Sequence, residues 1–331
     1  MRLLNKVTFP HTSGHAPSMT AFNGMIYIAW TGADGKLNIA QVIIENNNII
    51  LGGMFTLSEV SAYSPTLAVF HGQLYMAWAG KTGGRIHIAP IDIDATDGSV
   101  SLGETVDIYN SSPVYIKNTD LGNTAGPVLF AMTQYNAPVL CVVWKNTADQ
   151  INILRSADGS RFMGPGDLGS SLIVFVNANS TLGPVTSNHM AACCTGGNIA
   201  WSHSKTNKLY SGHIALGTAN SLASIYNYNN TIYNYQEEFF NGSTSSCPAI
   251  ACKGTSADAG LLISWKGEGS DDHLYLVSVY PKKSKPIPPT EATRLDETTR
   301  HSPAMCLYNE SVFIAWIDAD DHQINMALVA V

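Results

Sequence analysis

Three side chains able to give and take hydrogen bonds stand at one register of this 331-residue chain: His15, Tyr63 and His301, with Arg300 beside the last. Each lies two positions before a residue that opens an apolar run. That residue is Pro17, Pro65, Pro127, Pro248 or Pro303, with His189 in the one divergent copy. Ala125, Ser187 and Ser246 fill the same register in the other copies. Imidazole, phenol and guanidinium together offer a polar ligand both donors and acceptors. Two histidines and a tyrosine lack a third strong ligand for zinc, so water-holding residues are the expectation, and no metal or other cofactor is implied.

A second set joins tryptophans to short acids, as in Trp30-Thr31-Gly32-Ala33-Asp34 and Trp316-Ile317-Asp318-Ala319-Asp320, with Trp78 in an equivalent place. An indole face suits the C–H groups of a sugar, and a carboxylate suits its hydroxyls. The same indoles would equally serve to pack one sheet on the next, and equal spacing in every copy favours that packing reading.

The elements that must position these residues form a repeat. All six tryptophans close a short apolar run, at Trp30, Trp78, Trp144, Trp201, Trp265 and Trp316, roughly fifty residues apart with insertions. A second run follows each, for example Leu37-Asn38-Ile39-Ala40 and Ile324-Asn325-Met326-Ala327, across Gly, Asp, Asn, Lys and His, which are hairpin residues. The proline-led run precedes each tryptophan, and proline at a strand's first residue costs no ladder bond. A fourth run is clearest in Gly53-Met54-Phe55-Thr56-Leu57, and the last copy lacks one. The first residues, Leu3 to Phe9, have the right character to complete it.

These observations predict an all-β fold: a six-bladed β-propeller of four-stranded blades, closed by the N-terminal strand on the C-terminal blade. The expected blades cover about 14–60, 61–110, 122–180, 185–240, 244–295, and 299–331 plus 1–10, all in one domain. If the proline-led strand is innermost, its start and the hairpin after each tryptophan share one face.

Composition narrows the function. Apolar residues make up 45% and charged residues 13%, as expected of strands covered on both faces. A net charge of −7 with 18 Lys and Arg spread along the chain argues against nucleic acid. The one basic cluster, Lys282-Lys283-Ser284-Lys285, adjoins prolines and reads as a loop. No apolar stretch is long enough for a membrane span. The N-terminus has no recognisable signal peptide, which leads to the expectation of a cytoplasmic chain or one exported by a non-classical route. The six cysteines match no zinc spacing, and buried reduced thiols are expected.

At this point the chain resembles the bacterial sialidase-like propellers, whose repeats take the form S-P-x-L-x-x-x-N-G-x-L-Y-x-A-W-x-G. Residues 64–80 and 17–32 match best, and the resemblance covers nearly the whole chain. The stretch Ser156-Ala157-Asp158-Gly159-Ser160-Arg161-Phe162 is similar to a shortened Asp-box, a structural turn of that superfamily. The resemblance does not bring the catalytic set with it. A sialidase needs an arginine cluster, a Tyr-Glu nucleophile pair and an acid at the channel, and the register described above holds no carboxylate. No catalytic residue is assigned.

A propeller lectin, repeating a shallow site on one face, fits the same residues and would gain avidity from multivalency. The candidate ligand-binding residues are His15, Trp30, Asp34, Tyr63, Trp78, Tyr226, Tyr228, Arg300, His301, Trp316, Asp318 and Asp320. Tyr226 and Tyr228 belong to an insertion in which Tyr and Asn alternate, read either as an outer strand or as an aromatic surface for a glycan or a protein partner. The leading expectation is a non-catalytic glycan-binding protein. A sialidase-like glycoside hydrolase and a protein-interaction scaffold are the alternatives.

Overall fold

The computed structural model describes residues 1–46, 48–81, 85–108, 126–134, 137–145, 151–162, 173–174, 186–192, 198–203, 207–215, 224–226, 243–244, 246–253, 260–279 and 291–330. Strand β1 (Arg2–Thr12) comes first. β2 (Ser18–Phe22), β3 (Met25–Thr31), β4 (Lys36–Glu45) and β5 (Asn48–Val60) then pair in sequence order as the first sheet. The second sheet holds β6 (Thr66–Phe70), β7 (Gln73–Ala79), β8 (Ile86–Ile93), β9 (Val100–Leu102) and β10 (Val106–Asp107). β11 (Val128–Gln134), β12 (Ala137–Lys145), β13 (Ile151–Ser156) and β14 (Ile173–Val174) make the third sheet. β15 (Thr186–Ala192), β16 (Asn198–His203), β17 (Leu209–Ala215) and β18 (Ser224–Tyr226) make the fourth. β19 (Ala249–Cys252), β20 (Leu261–Lys266), β21 (His273–Val279) and β22 (Thr293–Thr298) make the fifth. In the sixth, β23 (Ala304–Tyr308), β24 (Ser311–Ile317) and β25 (Gln323–Ala330) continue to β1, which pairs antiparallel with β25 from Arg2↔Ala330 to Thr12↔Gln323.

The molecule is an all-β propeller. The opening strands β2, β6, β11, β15, β19 and β23 lie side by side in that order, and β23 lies against β2. The segments that begin five of them enclose an axial cavity of about 120 Å³. Pro17, Pro65, Pro127, Pro248 and Pro303 line it, each one residue ahead of its strand rather than at the strand's first position. There the missing N–H costs no ladder bond.

The second sheet departs from the expected four strands. Its outer position is divided: β9 pairs with β8 at Ile91–Ile93, and β10 pairs with it at His87 and Ile88. Pro90, which has no N–H, stands between the two pairings, and its carbonyl accepts from the Gly103 N–H at 2.9 Å. A single continuous outer strand gives way to two short ones around that point.

The second strand of each unit is buried on both faces, which is why it reads as an unbroken apolar run. Met25–Thr31, Gln73–Ala79 and Ser311–Ile317 are buried at every position after the first. All six indoles are interior, between 0% and 8% exposed. Four of them share a core with the preceding sheet. Trp78 packs with Tyr27, Leu37 and Ile39; Trp144 with Ala68, Phe70 and Ile88. Trp265 packs with Ala200 and Leu209; Trp316 with Leu262, Leu274 and Leu295. Trp30 packs on the last sheet, with Phe313, Ala315, Ile324 and Phe9 of β1.

Inner strands are further tied by side chains. Ser18 Oγ accepts from the Leu67 N–H at 3.0 Å, Thr66 Oγ1 from the Leu129 N–H at 3.3 Å, and Ser302 Oγ from the Cys247 N–H at 2.8 Å. No helix among the described residues is long and apolar enough to cross a membrane. Cys141, Cys247, Cys252 and Cys306 are buried thiols, while Cys193 and Cys194 lie outside the described residues.

Two outcomes are expected. Replacing the fully buried Trp316 by Ala removes a whole inter-sheet contact and should cost about 3–5 kcal/mol in chemical denaturation. Burial pushes the Cys141 thiol up to about 12 and that of Cys247 well above its usual range. A thiol reagent at neutral pH should therefore leave both unmodified until denaturant is added.

Candidate functional site

The rim of the axial cavity gathers the residues that the sequence placed at one register. His15, Tyr63, Ser246 and His301 directly precede the lining segments that begin at Ala16, Ser64, Cys247 and Ser302. Their backbones are held by one repeated device. Two positions upstream of each stands a Ser or Thr whose oxygen accepts the rim residue's own N–H. The pairs are Ser13 with His15 at 3.1 Å, Ser61 with Tyr63 at 3.1 Å, Thr244 with Ser246 at 3.0 Å and Thr299 with His301 at 3.2 Å.

The hydroxyls also reach the strand that carries the tryptophan. Ser13 Oγ lies 2.8 Å from the Thr31 carbonyl and Ser61 Oγ 2.8 Å from that of Ala79. The residue after the tryptophan then ties the next rim position, since Thr31 Oγ1 donates to the Tyr63 carbonyl at 2.6 Å and Ser202 Oγ to that of Ser246 at 3.3 Å. These turns are local side-chain-to-backbone bonds that satisfy polar groups the loops would otherwise leave unpaired. The signal in the sequence is a Ser or Thr two residues before each of these rim residues.

Each rim side chain is partly exposed apart from Arg300, which is exposed. The His15 and Tyr63 rings lie 6.5 Å apart, tilted by 55°. Burial holds His15 below its ordinary pKa. His301 is lowered by burial first and then by the positive neighbours His15, His322, Arg300 and Lys266. Lys266 is buried, with Nζ donating to the carbonyls of Gly267, Gly269 and Asp271 and lying 3.1 Å from an Asp272 oxygen. The rim thus offers two imidazoles, a phenol and a guanidinium beside a concave opening.

The hairpin candidates divide. Asp34 accepts the Lys36 N–H at 3.0 Å and Asp318 the Asp320 N–H at 2.9 Å, so both carboxylates shape their own turns. Asp320 is exposed at its hairpin. Trp30, Trp78 and Trp316 present no indole face to solvent, because each is covered by the adjoining sheet and by a ring or cation: His11 at 5.6 Å, His87 at 5.4 Å and Lys6 at 5.2 Å respectively. These hairpin groups and the rim are not brought together into one repeated site. Tyr226 lies in β18 opposite His213. Its side chain, Tyr228, Ala125, the 282–285 cluster and the remaining part of the Tyr/Asn insertion lie outside the described residues.

The 156–162 turn is closed on itself. Ser156 Oγ accepts from the Gly159 N–H at 2.9 Å, Asp158 Oδ1 accepts from the N–H groups of Ser160 and Arg161 at 2.8 and 2.9 Å, and Phe162 is buried. Those N–H bonds hold the Asp158 carboxyl far below the usual carboxylate range. Its bonding capacity is spent on the turn.

No family model matches the chain, and no curated protein matches it. Solved structures do. A Trypanosoma rangeli sialidase in complex with the inhibitor DANA is similar at 10% identity and a TM-score of 0.57, over 99% of this chain and 58% of that one. The Hadza microbial sialidase Hz136 is similar at 10% identity and a TM-score of 0.58, over 96% of this chain and 65% of that one. AofleA from Arthrobotrys oligospora is similar at 8% identity and a TM-score of 0.57, over 98% of this chain and 89% of that one. The chain therefore spans less than two thirds of the length of the sialidases it resembles. At such identities the likeness is one of fold, and it places this chain among β-propellers.

The lowered histidines set a pH dependence. Below about pH 6.5 the unfolded chain takes up protons that folded His15 and His301 resist, so stability should fall as pH drops through that window. Thermal midpoints measured between about pH 7.5 and 5.5 should show this decline, and His301→Gln should flatten it.

Proposed function

We propose that this chain is a non-catalytic carbohydrate-binding protein on a six-bladed propeller frame, the ring being closed through β1. One observation carries the reading: His15, Tyr63 and His301 directly precede three segments that line a concave axial opening, each with its backbone N–H donated to Ser13, Ser61 or Thr299, and Arg300 adjoins His301. Fixed donors, an acceptor ring nitrogen and a phenol around a concavity suit a polyhydroxylated ligand better than a flat protein surface. Binding is favoured over turnover because glycoside hydrolysis needs a pair of carboxylates, and the groups at the described rim are imidazole, phenol, hydroxyl and guanidinium.

A sialidase-like hydrolase is the second reading, favoured by the fold shared with the T. rangeli enzyme, which is described with an inhibitor bound. A protein partner on the Tyr/Asn insertion is the third.

A glycan array with competition by free sugar decides among them. Binding competed by one sugar class is expected, with about tenfold weakening in Tyr63→Ala or His301→Ala. Turnover of a fluorogenic sialoside would instead establish the hydrolase. A blank array with no turnover would leave the protein partner.

A further inference from the structure

The register across strands two, three and four compares the same location in four sheets. Beside each buried tryptophan stands a third-strand residue, and beside that a fourth-strand residue. In the first sheet the row is Trp30↔Asn38↔Thr56, and in the sixth Trp316↔Asn325↔Thr8. Both rows are closed: Thr56 donates to Asn38 at 2.7 Å, Thr8 donates to Asn325 at 2.6 Å, and both asparagines are buried. Nothing polar is left to offer outward.

The second and fifth sheets break that pattern in the same way. Their rows are Trp78↔His87↔Asp107 and Trp265↔Tyr275↔Arg294. A partly exposed ring replaces asparagine and stacks on the buried indole, His87 at 5.4 Å and 26°, Tyr275 at 5.6 Å and 13°. A charged residue replaces threonine, and a residue of opposite charge stands near it, directly paired in the second sheet and across His273 in the fifth. In the second sheet Arg85 lies 3.6 Å from Asp107, with side chains 46% and 18% exposed. In the fifth, Asp271 accepts from the Tyr275 hydroxyl at 2.7 Å and lies 2.9 Å from His273 Nδ1, and the Arg294 guanidinium reaches the same imidazole at 2.9 Å. A glycine two residues past each tryptophan makes the room. A Cβ on Gly80 would meet His87 Nε2 at 3.0 Å, and one on Gly267 would meet Asp271 at 2.5 Å.

We propose that these two places are ligand sites, distinct from the axial rim, each taking one neutral sugar residue. The common content of both is a ring backed by an indole, a carboxylate and a guanidinium. The ring offers a rigid surface for sugar C–H groups. A carboxylate accepts from one hydroxyl while a guanidinium donates to the next, so a vicinal pair of hydroxyls satisfies both charges at once. The charges cancel within each site, so it holds no net charge to draw in an anionic ligand, and a neutral polyhydroxylated one uses both groups. Two sites on one rigid frame would gain avidity toward a multivalent glycan. This rests on the glycan-binding reading and names where and what it binds.

The test uses the full chain and polymer-bound galactose, mannose and N-acetylglucosamine, with polymer-bound sialic acid as the anionic comparison. A neutral probe should bind. Arg294→Ala and Asp107→Ala, both away from the inter-sheet core, should each weaken it about tenfold, and the double variant should abolish retention. Tyr275→Phe keeps the ring on Trp265 and should weaken binding less than Arg294→Ala. Neutral-sugar binding that survives the double variant, or that is lost only in Tyr63→Ala, overturns the two sites and leaves the glycan reading standing. Binding of the sialic acid probe alone overturns the neutral-ligand assignment. Retention of no probe at all overturns both.

Discussion

The structure depends on one repeated contact: an indole at the end of each second strand, removed from water and set between its own sheet and a neighbour. A blade has two faces to bury and cannot do so alone. Tryptophan supplies the large apolar area that joins adjacent sheets, and Trp78, Trp144, Trp265 and Trp316 each share a core with the sheet before them. Trp30, which has no earlier sheet in the chain, packs on the last one, so the same contact links the two ends of the sequence. The β1–β25 ladder adds backbone hydrogen bonds to that junction.

Neighbouring polar side chains are held in place by this constraint. Because the indole is fixed, the residue after it and the third-strand residue beside it are fixed too. Thr31 reaches the backbone at Tyr63, and Ser202 reaches that at Ser246, so these two rim positions are held by the preceding sheet. Outward from the rim, His87 and Tyr275 rest on indoles that cannot move away. Preorganisation of this kind lowers the entropy lost when a ligand is ordered on a surface.

Much of the fold was legible in the sequence, and the reasons are physical. Strands buried on both faces must be apolar without alternation, and strand starts at the axis tolerate proline, so both features mark the repeat. The divided outer strand at Pro90 was less visible, because a proline inside an apolar run also fits an edge position. The site was less legible than the fold. Trp30, Trp78 and Trp316 have the residue type a sugar platform needs, and spacing alone does not say which face water reaches. Asp34 and Asp318 each accept the backbone N–H two residues on, a turn role that residue type alone does not reveal. His87, Tyr275 and Arg294 depart from Asn38 and Asn325 at one location, and that departure appears only once the strand register is known.

Acrylamide quenching of intrinsic fluorescence tests the central claim most directly, since six tryptophans supply the whole indole signal. With all six interior, native emission should be blue-shifted and only weakly quenched, saturating sugar should barely change the quenching, and full quenching should appear only on unfolding. Strong quenching of the native protein that bound sugar relieves would contradict the account, because it would put the indoles in the binding surface and not between the sheets.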